Sequence, residues 1–171
     1  MALIVIPFRG AVGKSRLQPL HEEARFALAH AMLADVRNAC ATVAETVVAS
    51  GPGGQGAAVA EALRGIDGPA AVVNADLPCI TPADVQALLA AAPALVAALD
   101  GTTNALALAR GSDFRPLYGP GSAARFAASG LQEIVLPNLV DDADTVADLE
   151  RVAHRVGPST RAVLESLRVT A

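Results

Sequence analysis

Apolar positions along the chain recur with two periods, and their alternation predicts an ordered series of strands and helices. Residues 2–7 (ALIVIP) form a short apolar run, β-branched in its middle and bounded by turn residues, which is the pattern of a buried strand. A helix is expected over 21–42, where Phe26, Leu28, Met32, Leu33 and Val36 recur at three- and four-residue spacings. Residues 45–49 (ETVVA) read as a second strand closed by SGPGGQG, and 59–64 belong to a second helix. Residues 70–74 (AAVVN) are a third strand. Thr81, Pro82 and Asp84 then supply a hydroxyl cap, a proline at the first helical position and an acid in the first turn, so a helix starts there. Further strands are expected over 95–99 and 104–108, separated by DGTT. Ser122 is expected to cap a short helix ending at Gly130, 133–136 to form a last strand, and helices to run from Thr145 and from Pro158.

Strands alternating with helices predict an α/β fold, a three-layer α/β/α arrangement around a mostly parallel mixed sheet. No internal repeat or linker interrupts the rhythm, so one domain is expected over 1–171. Ligands of such folds bind beyond the carboxyl ends of the strands. That rule singles out the loops after the first three strands.

Composition narrows the picture. Over 171 residues, 53% are hydrophobic and 18% charged, too apolar for a disordered tail. No apolar stretch approaches the ~20 residues of a membrane span, and MALIVIPFRG lacks the basic start of a signal peptide, so a soluble, cytoplasmic protein is expected. The formal net charge of −4 comes without a basic stripe, which argues against nucleic acid as a partner. An anionic ligand would therefore need local cations, helix N-termini or bound metal. Cys40 and Cys79 form no CxxC and read as reduced, buried thiols, while His21, His30 and His154 form no pair that would suit zinc.

The chemistry-bearing residues sit in the expected loops. The first loop, PFRGAVGKSRLQPL, contains GKS, but a Walker A motif would need glycine where Phe8 stands, and Pro19 would break the helix that must follow. Two readings remain, a solvated surface loop or a cationic loop folded over a triphosphate by Arg9, Lys14 and Arg16. Lys14 is the only lysine in the chain, which hints that a compact ammonium charge is wanted there. GPGGQG offers backbone N–H groups with no side chains in the way, at the positive end of a helix. Asp76, in NADLP directly after the third strand, is poorly placed for folding and well placed to hold a hard cation such as magnesium. DGTTN and YGPGS can present amides and hydroxyls to a phosphate or carboxylate, or serve as a hairpin turn and a helix cap. In VDDADTVADL, Thr145 and Asp148 have capping-box spacing, and the D-x-D pattern can put Asp142 and Asp144 on one side of an extended segment beside Asp141. Three carboxylates meeting in one pocket would repel each other unless a cation lay between them.

Taken in order, these motifs resemble the 2-phospho-L-lactate/phosphoenolpyruvate guanylyltransferases of coenzyme F(420) biosynthesis, which have a nucleotide-diphospho-sugar-transferase-like (GT-A-like) fold. That family's pattern runs approximately I-P-[VF]-K…AKSRL, PGGGLN, [GA]DLP, GT-x-TN, [FY]GPGS-x-x-RH and D-[IV]-DT-x-[ED]DL. This chain has VIPFRGAVGKSRL, GPGGQGA, ADLPCITPADV, DGTTNAL, YGPGSAARF and DDADTVADL, spread from Ala2 to about Arg151. The resemblance implies that Asp76, Asp142 and Asp144 bind magnesium, with Lys14 and Asp76 catalytic. It implies that Arg9, Lys14, Arg16, Gly53 and Gly54 face GTP. It further implies that Thr102, Thr103, Asn104, Gly119 and Ser122 grip a small phosphorylated carboxylic acid. The implied reaction is attack of that acid's phosphate on the α-phosphorus of GTP, with pyrophosphate leaving. Ala57 stands where the family has an asparagine, Phe126 where it often has histidine, and the stretch between the second strand and GPGGQG is shorter than the family's. A transferase for another phosphorylated acceptor and a non-catalytic GTP-binding module remain the alternatives.

Overall fold

The computed structural model describes residues 1–10, 17 and 20–169, with 168 and 169 through their backbone alone. The chain runs β1 (Leu3–Pro7), α1 (Glu22–Ala41), β2 (Glu45–Ala49), α2 (Gln55–Ala62), β3 (Ala70–Val73), α3 (Pro82–Ala90), β4 (Ala94–Ala97) and β5 (Thr103–Leu108). It continues with α4 (Ser122–Ala128), β6 (Gln132–Glu133), α5 (Pro137–Val140), α6 (Val146–Val152) and α7 (Pro158–Val169). The strands form one mixed sheet in the order β2-β1-β3-β5-β4-β6. Only β5 runs against its neighbours; the β1–β2, β1–β3 and β4–β6 pairs are parallel.

The period-two alternation of the strands sorts their side chains into two apolar layers. Ile4, Ile6, Ala71, Val73, Ala105 and Ala107 share one cluster with Val36 and Cys40 of α1, Val85 and Leu88 of α3, and Leu139 of α5. The intervening residues Val5, Val72, Leu106 and Leu95 face the other way, onto Val59 and Leu63 of the α2 region and Phe126 of α4. Both faces of the sheet are thus covered, which accounts for the absence of polar residues from β1, β3 and β4. Each fully buried Ile, Leu or Val contributes about 1.5–3 kcal/mol relative to its exposed state, so the layers outweigh any single polar feature in holding the sheet.

The connection β1–α1–β2 goes to one side of β1, whereas β3 lies on its other side. This change of direction opens a crevice at the carboxyl ends of β1 and β3, the usual ligand position in open α/β sheets. Across the molecule, α7 is fastened to α1 by a cap from a distant residue. The buried Asp35 carboxylate accepts from the N–H groups of Ser159 (2.9 Å) and Thr160 (2.8 Å) at the start of α7. Among the described residues no helix is long and apolar enough to cross a membrane.

Three local expectations are corrected. Gly121, with φ of 70°, is the N-cap of α4, because the GPGS turn needs a left-handed residue there; Ser122 is the first helical residue and caps nothing. The last strand is only Gln132–Glu133, since Pro137 opens α5 soon after Ile134, whose N–H makes the last bond to β4 at Leu95 O (2.9 Å). Phe26 is not core: it is 55% exposed and packs on His30, with ring centroids 4.2 Å apart. The segment around DGTT is a hairpin turn, one of the two readings its sequence allows, with Ala98 N–H donating to Thr102 O and Asp100 accepting from the Thr102 N–H and hydroxyl.

Candidate functional site

The crevice is built from three loops tied together by hydrogen bonds. Asp76 lies three residues beyond the end of β3. Its backbone oxygen accepts from Ala143 N–H (3.0 Å), which pins the segment after α5 beside it. Ala143 is fully buried, so the flanking Asp142 and Asp144 emerge together on the crevice side. Asp76, Asp142 and Asp144 each offer a carboxylate oxygen, and these oxygens all lie within 4.8 Å of one another. Such a set could hold a metal ion, and hard, ionised oxygen donors suit magnesium or calcium rather than a soft cation.

The electrostatics point the same way. Asp142 is pushed up to about 6 by burial first, then by the charges of Asp76 and Asp144, against a hydrogen bond from Asn104. Three carboxylates held this closely are poised for a cation that relieves their repulsion. Asp144 is steadied from behind. A capping box at the start of α6 pairs Thr145 with Asp148, and the Asp148 carboxylate also accepts from the Asp144 N–H (3.3 Å). Asp141 takes no part: it is ion-paired with Arg151 and Arg155. Burial raises its carboxyl, but the hydrogen bonds from these two arginines prevail and hold it below the ordinary aspartate value.

On the β2 side, Gly53 (φ 88°) and Gly54 (φ 96°) carry the backbone through the left-handed region into α2. The Arg9 guanidinium lies over Gly54, with Nη2 only 2.5 Å from where a Cβ would sit, so the close approach depends on glycine. Phe8 and Arg9 separate two cavities. One, of about 650 Å³, is bounded by Gly10, Ser50 and the glycines 51, 53 and 54. The other, of about 210 Å³, reaches Asp76 and Asp144. The expectations for Lys14 and Arg16 lie outside the described residues.

The residues expected to grip a phosphorylated acid are placed less openly. Thr103 and Ser122 are buried and share a hydrogen bond of 2.9 Å between their hydroxyls. Asn104 is equally buried, and its amide donates to Leu139 O (2.9 Å), Val140 O (3.2 Å) and Asp142 Oδ1 (3.4 Å). It thus touches the acidic group through the loop that carries it. Thr102 is bound to Asp100 in the hairpin turn. Gly119 (φ 115°) lies in a loop whose carbonyls at Leu117, Tyr118 and Pro120 all accept from Arg125. Phe126 packs edge-on against Tyr118, a core role that needs no imidazole.

Two polar residues of the crevice escaped the reading of the sequence. Asn74 donates to Thr103 O (3.0 Å), and its own oxygen accepts from Gln55 (2.8 Å). The only available signal was an asparagine two positions before Asp76 at a strand end. Nothing local announced Gln55 among the glycines.

No family model matches the chain. It is 40% identical over 140 residues to a phosphoenolpyruvate guanylyltransferase of Streptomyces coelicolor, covering 72% of this chain and 65% of that protein. A phosphoenolpyruvate guanylyltransferase of Geodermatophilus obscurus is 41% identical over 101 residues, 55% of this chain and 47% of that protein. The chain therefore spans between about half and two thirds of these relatives. A 2-phospho-L-lactate guanylyltransferase of Halomicrobium mukohataei is 37% identical over 171 residues, covering 87% of this chain and 84% of the relative. Among solved structures, one from Desulfovibrio desulfuricans G20, assigned as a nucleotide-diphospho-sugar transferase, superposes with a TM-score of 0.73 over 98% of this chain and 95% of its own. At 17% identity that likeness concerns the fold, which is of the nucleotide-diphospho-sugar-transferase type. With the motif order, the acidic triad and the extent of the Halomicrobium match in agreement, the chain belongs to the phosphoenolpyruvate/2-phospho-L-lactate guanylyltransferase family.

Proposed function

We propose that this chain, as one nucleotidyltransferase domain, joins GTP to phosphoenolpyruvate or 2-phospho-L-lactate in a step of coenzyme F(420) biosynthesis in the cytoplasm. A phosphate oxygen of the acid forms a bond to the α-phosphorus, the bond from that phosphorus to the bridging oxygen breaks, and pyrophosphate carries away the electron pair. The observation that carries this reading is the convergence of Asp76, Asp142 and Asp144 within 4.8 Å at the crevice. Magnesium held there would supply positive charge against the developing charge on the phosphates.

The chain's own residues supply the rest. The attacking phosphate is already anionic near neutral pH, so no strong base is needed; the barrier is repulsion between anions, lowered by fixed charge and positioning. Arg9, which lies over Gly54 and lines both cavities, is proposed to meet the triphosphate together with Lys14 and Arg16. Gly53 and Gly54 leave room for phosphate oxygens against the backbone. Thr103, Asn104 and Ser122, with Thr102 and Gly119, are proposed to shape the acid's side of the site. Thr103 and Ser122 would act through the buried frame they build, because their hydroxyls are engaged with each other.

The test is pyrophosphate release with GTP plus each acid, and with GTP alone. Release that requires one of the acids supports the reading, as does a fall of about 10²–10³-fold in Asp76→Asn. Undiminished turnover in that variant would remove the metal assignment, and release with neither acid would remove the reaction.

A further inference from the structure

Gln55 lines the same cavity as Asp76 and Asp144, and its orientation is dictated by a chain of hydrogen bonds that starts at a backbone carbonyl. Thr103 O can only accept. The Asn74 group facing it at 3.0 Å is therefore the amide nitrogen, which turns Asn74 Oδ1 toward Gln55. That oxygen needs a donor, so Gln55 presents Nε2 to it at 2.8 Å. Gln55 Oε1 is left as an acceptor that takes a hydrogen bond from no described residue, on a half-buried side chain at the start of α2.

A fixed acceptor selects what it can meet. Phosphate and carboxylate oxygens would repel it and could meet only the second Nε2 hydrogen, and phosphoenolpyruvate and 2-phospho-L-lactate carry no other polar group, so either acid seated at Gln55 would leave Oε1 without a donor. Of the substrates in the proposed reaction, only the nucleoside has N–H or O–H donors to offer. The neighbouring walls of the cavity, Phe8, Ala29 and Met32, are apolar and suit the flat faces of a base better than a ribose. Guanine offers Oε1 two adjacent donors, N1–H and the N2 amine, on one edge; adenine offers it a single amine, beside a nitrogen that needs the second Nε2 hydrogen. We infer that Gln55, held by Asn74 and through it by Thr103 O, is a specificity-determining residue that reads the donor edge of guanine. The inference rests on the nucleotidyl-transfer reading for its choice of ligand.

Calorimetric binding of GTP, 2′-deoxy-GTP and ATP in magnesium buffer, without acid, tests it independently of turnover. Wild-type protein is expected to bind GTP and 2′-deoxy-GTP alike and ATP at least about tenfold more weakly. Gln55→Leu is expected to weaken both guanine nucleotides about 10–100-fold, the loss for one desolvated hydrogen bond or two, and ATP less than threefold. Equal weakening of all three nucleotides in Gln55→Leu would reduce Gln55 to a structural strut and overturn the inference. A selective loss of GTP relative to 2′-deoxy-GTP would assign the contact to the ribose and overturn it as well. Selective GTP binding without pyrophosphate release would refute the transferase reading while upholding Gln55; a wild type that binds no nucleotide would overturn both.

Discussion

Replacing Asp142 by asparagine should move two properties of the protein in opposite directions. Asparagine has nearly the same shape and keeps an oxygen that can accept from Asn104, so packing and the local hydrogen bond survive. What disappears is a buried charge facing two others. A carboxyl titrating at about 6 instead of 3.8 costs the folded, ionised protein at most about 3 kcal/mol. Solvent reaches part of this side chain, and screening reduces the recoverable gain to about 1 kcal/mol. In a chain of this size that corresponds to a rise of about 2–4 °C in Tm. The sign follows from linkage. Because its folded-state pKa is raised, Asp142 holds its proton more tightly in the folded protein than in the unfolded chain. Its contribution to stability is fully present below about pH 4 and is lost as the pH rises through about 6. Asp142→Asn should therefore melt higher than wild type above pH 6.5 in metal-free buffer and match it near pH 4. Adding magnesium should reverse the order at pH 7.5, since a ligand stabilises only the protein that binds it. Differential scanning fluorimetry at the two pH values, with chelator or with magnesium, reads all four conditions. A variant that melts lower than wild type without metal at pH 7.5, or that keeps the full magnesium-induced rise, would refute the reasoning.

Other perturbations separate the site from its frame. Gly54→Ala places a methyl group against Arg9 and a side chain at φ 96°; displacing the guanidinium should weaken GTP binding about tenfold or more by calorimetry, while the backbone strain costs about 1–2 kcal/mol. Asp35→Ala leaves the Ser159 and Thr160 N–H groups without their acceptor and should cost about 2–4 kcal/mol in chemical denaturation, with early loss of amide protection in α7. Gly157→Ala should act in the same direction, because its Cβ would lie 2.4 Å from the Asp35 carboxyl carbon. Thr103→Val and Ser122→Ala should each cost about 1 kcal/mol, and the double variant less than their sum, since one buried hydrogen bond joins the two hydroxyls.

Much of this architecture was legible before any coordinate. The apolar run at 70–73 and the Thr81–Pro82–Asp84 start announce their elements because a fully buried strand and a capping box are local signals. The acidic triad was legible as well, since a D-x-D segment and a carboxylate after a central strand are readable one by one. What failed depends on partners remote in sequence. Ser122 has the composition of a cap, yet Thr103 across the core takes its hydroxyl and Gly121 takes the turn. Phe26 has the spacing of a core residue, but the buried face of α1 runs through Ala24, Leu28, Met32 and Val36, and Phe26 falls outside it. Gln55 acquires its role only through Asn74 and Thr103, which lie 19 and 48 positions further on. Periodicity carries no information about such a relay.

The account stands or falls on a cation held by Asp76, Asp142 and Asp144 between two phosphorylated molecules. Phosphorus-31 relaxation in the presence of manganese tests this most directly, using phosphoenolpyruvate and a GTP analogue with a methylene group between its α- and β-phosphorus. The expected result is strong, simultaneous relaxation enhancement of the analogue's α-phosphorus and the acid's phosphorus in wild type, abolished for both in Asp76→Asn. Enhancement confined to the nucleotide, or persisting unchanged in that variant, would contradict it.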